Sequence, residues 1–222
     1  MKNLNRYIEH TALQPTVDER AIDKLLAQAK KYSFRGVCVP PFWVKKANRA
    51  LLELDIQVVT VVGFPLGYSM TQTKVFETKQ AIADGADELD VVWSISAFKS
   101  GMNWPKIELA QIANVCHDSE KLLKVIIETA YLNEDELTLA CDNCRDAGVD
   151  FVKTSTGFAG EGAQTATIKR MRELLPSQVG IKASGGIKTL EQAMAMINAG
   201  ADRIGSSSGH LIMEAWMDKN PQ

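Results

Sequence analysis

Residues 147–153 read Ala-Gly-Val-Asp-Phe-Val-Lys, and related stretches recur at 84–90 (Asp-Gly-Ala-Asp-Glu-Leu-Asp) and 199–205 (Ala-Gly-Ala-Asp-Arg-Ile-Gly). Each stretch has a glycine, a small apolar residue, an aspartate and then a strand-like run, and a looser copy lies at 34–39. The glycine is typical of the left-handed residue that closes a helix. Because a helical pattern precedes each copy and a polar loop follows it, we interpret the repeated unit as a strand and a helix.

Short apolar runs predict eight strands along the chain. The predicted strands are 7–10, 36–39, 57–62, 88–92, 122–128, 151–153, 180–182 and 203–205. Helical patterns lie between them, for example at 18–32, 71–84, 106–117 and 166–175. Capping boxes predict helix starts at Asn133, with Glu136, and at Thr189, with Gln192. Eight strand–helix units predict an α/β fold, a single (β/α)8 TIM barrel, with an open doubly wound sheet as its rival.

The bulk composition excludes several classes of function. The chain has 222 residues, a net charge of −2 and 23% charged residues, which gives no indication of a nucleic acid or an anionic membrane as partner. No linker-like segment divides it, so we expect one domain over residues 1–222. It shows neither a signal-peptide pattern nor an apolar run of bilayer length, so we expect a cytoplasmic protein.

The four cysteines are interpreted as reduced thiols. Cys38, Cys116, Cys141 and Cys144 show no spacing typical of a disulfide framework. Cys141 and Cys144 have the spacing of some zinc and redox sites. Both fall inside the helical stretch 133–147 with no second ligand pair nearby in sequence, so packing is the better interpretation.

Two predicted strands end in lysine. Lys153 closes the sixth strand and Lys182 the seventh, and strand alternation places Lys153 on one face with Phe151. In a closed barrel both amines point into one pocket. Two close like charges disfavour each other, so one lysine can stay cationic while the other becomes a neutral nucleophile. The alternative is that each lysine binds an anion or extends to water at a strand end.

A carboxylate and a polar strand end complete the candidate site. Asp90 shares a strand face with Glu88, and near the lysines it can hold a water and relay protons. A structural ion pair with one lysine is the competing interpretation, and both roles are compatible. The first strand ends Glu9-His10-Thr11 at the same edge of the barrel.

Glycine and serine after the seventh and eighth strands predict an anion site. The segments are 183–187 (Ala-Ser-Gly-Gly-Ile) and 205–209 (Gly-Ser-Ser-Ser-Gly). Backbone N–H groups in glycine turns, hydroxyls and a following helix N-terminus favour phosphate, and barrels often bind it there. No cluster of His, Cys, Asp and Glu at ligand spacing appears, so neither a metal nor a cofactor is predicted. For His117 and His210 we expect surface or packing roles.

Five segments together resemble the deoxyribose-phosphate aldolase family. They are 153–158 (Lys-Thr-Ser-Thr-Gly-Phe), 182–187 (Lys-Ala-Ser-Gly-Gly-Ile), 85–92 (Gly-Ala-Asp-Glu-Leu-Asp-Val-Val), 123–129 (Leu-Lys-Val-Ile-Ile-Glu-Thr) and 63–67 (Gly-Phe-Pro-Leu-Gly). The likeness runs from about Ile8 to Gly209. It implies a (β/α)8 class I aldolase that reversibly cleaves 2-deoxy-D-ribose 5-phosphate to acetaldehyde and D-glyceraldehyde 3-phosphate. The implied partners are small phosphorylated sugars and aldehydes, with a homo-oligomer as a further expectation.

The resemblance assigns roles by position. Lys153 matches the Schiff-base lysine, Lys182 the neighbouring lysine that favours its neutral form, and Asp90 the aspartate of the proton-relay water. The positions expected to bind substrate or phosphate are Thr154, Gly157, Gly186, Ser207 and Ser208. The positions expected to be accessory are Glu9, Thr11 and Cys38, of which Cys38 is interpreted mainly as packing.

Some residues depart from the family pattern. Glu9 stands where an aspartate is usual, Ser94 and Ser96 follow the fourth strand, and Glu161 adds an acid after the sixth. These departures bear on substrate preference. Two other functions remain open: a phosphosugar isomerase or epimerase that uses Glu9 and Asp90, and a non-catalytic binder of phosphorylated ligands. Three tryptophans are expected in the core or at an interface: Trp43, Trp104 and Trp216.

Overall fold

The strands pair in sequence order around a ring. A computed structural model of the chain describes residues 3–220. Each strand is parallel to the next, and the eighth pairs with the first, so the barrel is closed. The strands are β1 (Ile8–Thr11), β2 (Gly36–Val39), β3 (Gln57–Val62), β4 (Glu88–Val92), β5 (Leu122–Ile126), β6 (Phe151–Lys153), β7 (Gly180–Ser184) and β8 (Arg203–Ser206). The predicted (β/α)8 barrel is confirmed, because an open sheet would leave β1 and β8 apart.

At least one helix follows every strand. The helices are α1 (Glu19–Tyr32), α2 (Val44–Leu51), α3 (Thr71–Ala83), α4 (Ile95–Lys99), α5 (Trp104–His117), α6 (Glu134–Asp146), α7 (Thr165–Leu174), α8 (Leu190–Asn198) and α9 (Gly209–Lys219). Short 3-10 turns cover Leu4–Tyr7, Pro41–Trp43 and Thr129–Tyr131. Between residues 3 and 220, no helix combines the length and apolar character needed to cross a membrane.

The repeated aspartate has a structural role. In each copy its carboxylate accepts a hydrogen bond from a backbone N–H of the strand preceding its own. Asp87 accepts from Val58 at 3.0 Å, and Asp150 accepts from Leu123 at 2.8 Å. Asp202 accepts from Ile181 at 2.9 Å. These N–H groups lie near strand beginnings, so the repeat fixes neighbouring strands at the amino-terminal edge of the barrel, away from the loops that bear the site.

Most predicted boundaries agree with the structure within one residue, and both predicted capping boxes are present. The largest strand errors are at two ends. β5 stops at Ile126, before the predicted end at Glu128, because Glu128 has a left-handed backbone with φ 54°. β7 continues past the predicted end at Lys182 to Ser184, because Ser184 still pairs with β8. α5 begins at Trp104, two residues earlier than predicted.

Candidate active site

A cavity of about 810 Å³ opens at the carboxyl ends of the strands. Its wall comes from the segments after β1, β6, β7 and β8, with Lys153 reaching it from the barrel interior. Lys182 does not line the cavity, although it lies beside Lys153 in the register of β6 and β7. The two lysines predicted from strand alternation therefore come together, but one reaches the cavity and the other is sealed behind it.

Asp90 joins the two amines. Nζ of Lys153 donates to Oδ2 of Asp90 at 2.8 Å, and Nζ of Lys182 donates to the same oxygen at 2.6 Å. All three side chains are buried. Lys182 also forms an ion pair with Glu9, which brings the predicted accessory carboxylate into the same group. The second oxygen of Asp90 is left for another donor.

The charge of Lys182 is stabilised by its neighbours. Burial alone would lower its pKa, but the carboxylates of Asp90 and Glu9 outweigh burial and raise it. Gly205 of β8 makes room for this side chain, because a Cβ at that position would lie 3.2 Å from Cε of Lys182 and 3.0 Å from Ser184. Lys182 is therefore held as a cation in a space that glycine provides.

Lys124 supplies the remaining donor to Asp90, and sequence reasoning missed it. Its Nζ lies 3.1 Å from Oδ1 of Asp90, 2.5 Å from Glu88 and 3.6 Å from Glu9, with the side chain fully buried. Burial would lower the pKa of Lys124, but Asp90, Glu88 and Glu9 raise it strongly. Burial would likewise raise the pKa of Asp90, but Lys124, Lys153 and Lys182 hold it well below its ordinary value.

The ion pairs around Asp90 form one network with more basic than acidic groups. Its members among residues 3–220 are the acids Glu9, Glu88 and Asp90 and the bases Lys124, Lys153, Lys182 and Arg203. If every member is ionised, the network carries one excess positive charge in a region that is largely shielded from solvent. Loss of a proton from one amine would balance it, and Lys153 is the amine that lines the cavity. Within the same range, no group of three or more His, Cys, Asp and Glu side chains is arranged to hold a metal ion.

Besides Lys153, four of the predicted binding and accessory positions lie on the cavity wall. They are Thr11, Gly157, Gly186 and Ser207, contributed by the segments after β1, β6, β7 and β8. Thr11 is also tied to its own strand, because its Oγ1 donates to the backbone oxygen of Glu9 at 3.0 Å. The glycine and serine segments predicted from sequence thus line the same cavity.

Three other predicted positions lie off the wall. Thr154 is fully buried and exchanges hydrogen bonds of 3.1 Å with the backbone of Ser184, so it joins β6 to β7. Ser208 precedes α9, and its N–H donates to Oγ of Ser206 at 3.0 Å. Cys38 packs with Val59 in the barrel interior, and burial raises the pKa of its thiol to about 11.

Sequence reasoning also missed residues of the wall and its support. Thr156, rather than Thr154, lines the cavity after β6, and Lys188 adds a second amine to the wall. Glu128 is buried behind Thr156 and accepts its hydrogen bonds. Strand alternation indicates that Thr154 points away from the face of Lys153, but it does not extend into the loop that places Thr156.

The residues that depart from the family pattern and the two other histidines lie in different parts of the barrel. Glu161 lines the cavity, so its added charge faces the space of the predicted anion site. Ser94 lies just before α4, following the buried Trp93, whose Nε1 donates to the backbone oxygen of Ile127 at 3.1 Å. His117 pairs with Asp150 at 3.0 Å at the opposite edge of the barrel, and His210 packs against His10 with 5.7 Å between ring centroids.

Comparisons with known proteins agree on one family. Residues 8–215 match the family described as "DeoC/LacD family aldolase". A protein of Thermococcus gammatolerans named deoxyribose-phosphate aldolase is 47% identical over 215 residues, covering 96% of each chain. A protein of the same name from Clostridium botulinum (strain Langeland) is 51% identical over 207 residues, covering 93% of this chain and 97% of its own.

Solved structures give the same match in three dimensions. One described as "QR15, an Aldolase" superposes with a TM-score of 0.93 at 41% identity, covering 99% of this chain and 98% of its own. A tetrameric deoxyribose phosphate aldolase from Aeropyrum pernix superposes with a TM-score of 0.90 at 32% identity, covering 97% of this chain and 92% of its own.

Proposed function

The chain belongs to the DeoC/LacD family of aldolases, and we infer that it is a class I aldolase acting on 2-deoxy-D-ribose 5-phosphate. The reaction gives acetaldehyde and D-glyceraldehyde 3-phosphate and is reversible. Relatives of about half identical sequence carry the name deoxyribose-phosphate aldolase over nearly their whole length. The observation that carries the mechanism is the sharing of one oxygen of Asp90 by two lysines, of which Lys153 lines the cavity.

Lys153 is the proposed nucleophile. Its uncharged amine adds to the C1 aldehyde of the open-chain sugar, and the hydroxyl of the resulting carbinolamine takes up a proton and leaves as water, which leaves an iminium at that carbon. Lys182 and Lys124 have additional carboxylate partners that stabilise their charges, whereas the one carboxylate paired with Lys153 is Asp90 among the described residues. Lys153 is therefore the lysine of the network with the fewest carboxylate partners, and it is the one that lines the cavity.

Cleavage needs an electron sink and a proton acceptor. When the C3 hydroxyl loses its proton, the C2–C3 bond breaks, its electron pair forms the enamine with C1, and C3 becomes the aldehyde of glyceraldehyde 3-phosphate. A water held by the ionised Asp90 relays this proton and later returns one to C2. Hydrolysis of the resulting iminium releases acetaldehyde and restores Lys153.

The phosphate end of the sugar is proposed to bind at the wall formed by Gly157, Gly186 and Ser207. Backbone N–H groups in glycine-containing turns and a serine hydroxyl are suitable donors to a phosphate. Contacts with this remote group supply binding energy that orients the reacting carbons over Lys153.

A trapping experiment tests the intermediate, the residue and the reaction class together. Incubation with acetaldehyde followed by borohydride reduction should attach an ethyl group to Lys153, located by peptide mass spectrometry. Lys153→Ala should abolish both the adduct and turnover. Lys188→Ala is the matched control, because it removes the other amine of the cavity wall and should leave the adduct at Lys153.

Other outcomes would identify the alternatives. An adduct at a different lysine, or none, would refute the Schiff-base assignment. Turnover of a ketose phosphate that survives Lys153→Arg would indicate an isomerase or epimerase. Binding of the sugar phosphate without release of acetaldehyde would indicate a non-catalytic binder.

The proposed setting is a single domain over residues 1–222, in the cytoplasm, assembled as a homo-oligomer. The family match over residues 8–215 supports the single domain, and four buried free cysteines suit a reducing compartment. Exposed large apolar side chains, among them Phe42, Tyr68 and Phe76, support self-association. Light scattering coupled to gel filtration tests the assembly, and a monomeric mass would contradict it.

A further inference from the structure

Glu128, just after β5, has an unusual conformation for a side chain of its type. Its backbone lies in the left-handed region, with φ 54° and ψ 72°. That region is unfavourable for residues other than glycine. Its carboxylate is buried, and Oε1 accepts no hydrogen bond from the residues between 3 and 220. Both features oppose folding, so the remaining contacts of Glu128 must offset them.

The side-chain hydrogen bonds of Glu128 go to the segment after β6. Oε2 of Glu128 accepts from the backbone N–H of Thr156 at 3.1 Å and from the Thr156 hydroxyl. Oγ1 of Thr156 in turn accepts from the N–H of Phe158 at 3.0 Å. A hydroxyl can donate once and accept at the same time, so the three groups form a continuous chain of hydrogen bonds. We call this chain the Glu128 clamp.

The backbone on either side of Glu128 is tied to β6 as well. The N–H of Ile127 donates to the oxygen of Lys153 at 3.0 Å, and the N–H of Thr129 donates to the oxygen of Thr154 at 2.9 Å. Glu128 is thus fixed relative to the strand that ends in Lys153. The clamp transmits that fixed position to Thr156 and Phe158, two residues of the cavity wall on either side of Gly157.

We propose that Glu128 is a positioning residue that holds the wall segment 156–158 in place for the phosphate end of the substrate. The inference rests on the proposed function, in which Gly157 belongs to the phosphate site. Glu128 itself does not line the cavity. It acts through Thr156, because a loop tied at its base loses less freedom when it binds an anion.

Two substitutions at position 128 distinguish the effect of losing the clamp from the effect of changing the left-handed backbone. Glu128→Gly removes the carboxylate but suits the left-handed backbone, so the variant should fold. Glu128→Gln keeps an oxygen that can accept from Thr156. Thr156→Val removes the hydroxyl while leaving Glu128 and the N–H of Thr156 in place.

The readouts are the ratio of kcat/KM for 2-deoxy-D-ribose 5-phosphate to that for 2-deoxy-D-ribose, and the inhibition constant of inorganic phosphate. In Glu128→Gly we expect the ratio to fall about tenfold or more, and the inhibition constant to rise by a similar factor. Thr156→Val should change both in the same direction, and Glu128→Gln should stay within about threefold of the parent. The acetaldehyde adduct at Lys153 should form in every variant.

The outcomes distinguish this inference from the proposed function. An unchanged ratio and inhibition constant in a folded Glu128→Gly variant would overturn the clamp, as would equal losses for both sugars. If Glu128→Gly does not fold, an unchanged ratio in Thr156→Val overturns it instead. Absence of the adduct in the parent protein would refute the proposed function, while phosphate binding measured by calorimetry would still test the clamp.

Discussion

Lys153 and Lys182 donate to the same oxygen of Asp90, at 2.8 Å and 2.6 Å. Their surroundings differ in one respect that bears on chemistry. Lys182 has a second carboxylate partner in Glu9 and is sealed from the cavity, whereas Lys153 lines the cavity. Asp90 therefore couples an amine that keeps its proton to an amine that can meet a substrate. A change at Asp90 acts on both lysines at once.

Asp90→Asn is expected to lower kcat/KM by about a hundredfold or more, because the relay water loses the carboxylate that holds it. It should also lower the free energy of unfolding by about 3–5 kcal/mol, since several buried cations lose a partner. Steady-state kinetics and urea denaturation measure the two effects. Asp87→Ala is the control: it removes the bond to the N–H of Val58 and should cost stability without a comparable loss of activity. Near-normal turnover in Asp90→Asn would contradict the proposed role.

Loss of Lys124 is expected to reduce both stability and activity, and a second substitution should restore only the stability. Lys124→Met leaves Glu88 and Oδ1 of Asp90 without their buried cation, which should cost about 3–5 kcal/mol. Adding Glu88→Gln removes the unpaired charge and should recover much of that loss in urea denaturation. Activity should stay low in both variants, because Oδ1 of Asp90 still lacks the amine that fixes its orientation. Recovery of kcat in the double variant would show that Lys124 serves stability alone.

The barrel could be predicted because its signals are local. The repeated glycine and aspartate act within a few residues of the strands that they introduce, and both roles follow from backbone chemistry. The lysines at strand ends could be predicted in the same way. Lys124 resembles Lys153, because it is a basic residue in the otherwise apolar strand β5. It was missed because it lies mid-strand, where sequence gives no indication of a cavity.

The supporting residues depend on contacts that sequence does not contain. Glu128 was predicted to end the fifth strand because three apolar residues, 125–127, come directly before it. Its left-handed backbone is instead held by the contact with Thr156, 28 residues further on. Thr154 was assigned to the substrate by its place in the motif. The structure instead uses it to join β6 to β7 through Ser184.

The protein is expected to lose stability in acid, because the pKa values of Asp90 and Glu88 are lowered in the folded state. The unfolded carboxyls titrate near about pH 4, above their folded values, so in acid the unfolded state binds more protons. Their contribution is therefore complete above about pH 4 and is lost as the pH falls through the folded values. Urea denaturation between about pH 3 and pH 6 should show this fall. The slope should be shallower in the Lys124→Met, Glu88→Gln variant, which lacks one of the two carboxyls, and an equal slope would contradict the assignment.

Cys38 is expected to be unreactive in the native protein. Burial raises the pKa of its thiol to about 11, so at pH 8 the nucleophilic thiolate is scarce and no reagent reaches it. Labelling with iodoacetamide at pH 8, followed by peptide mapping, should modify Cys38 only after urea is added. Cys38→Ala should retain the acetaldehyde adduct at Lys153, because the thiol makes no hydrogen bond to the network. Rapid labelling of the folded protein would contradict this account.

The raised pKa of Cys38 also gives a stabilising contribution that is complete below about pH 8.5 and is lost as the pH rises through about 11. The decline in the free energy of unfolding above about pH 8.5 should accordingly be smaller in Cys38→Ala than in the parent protein. An equal decline in the two proteins would contradict this contribution.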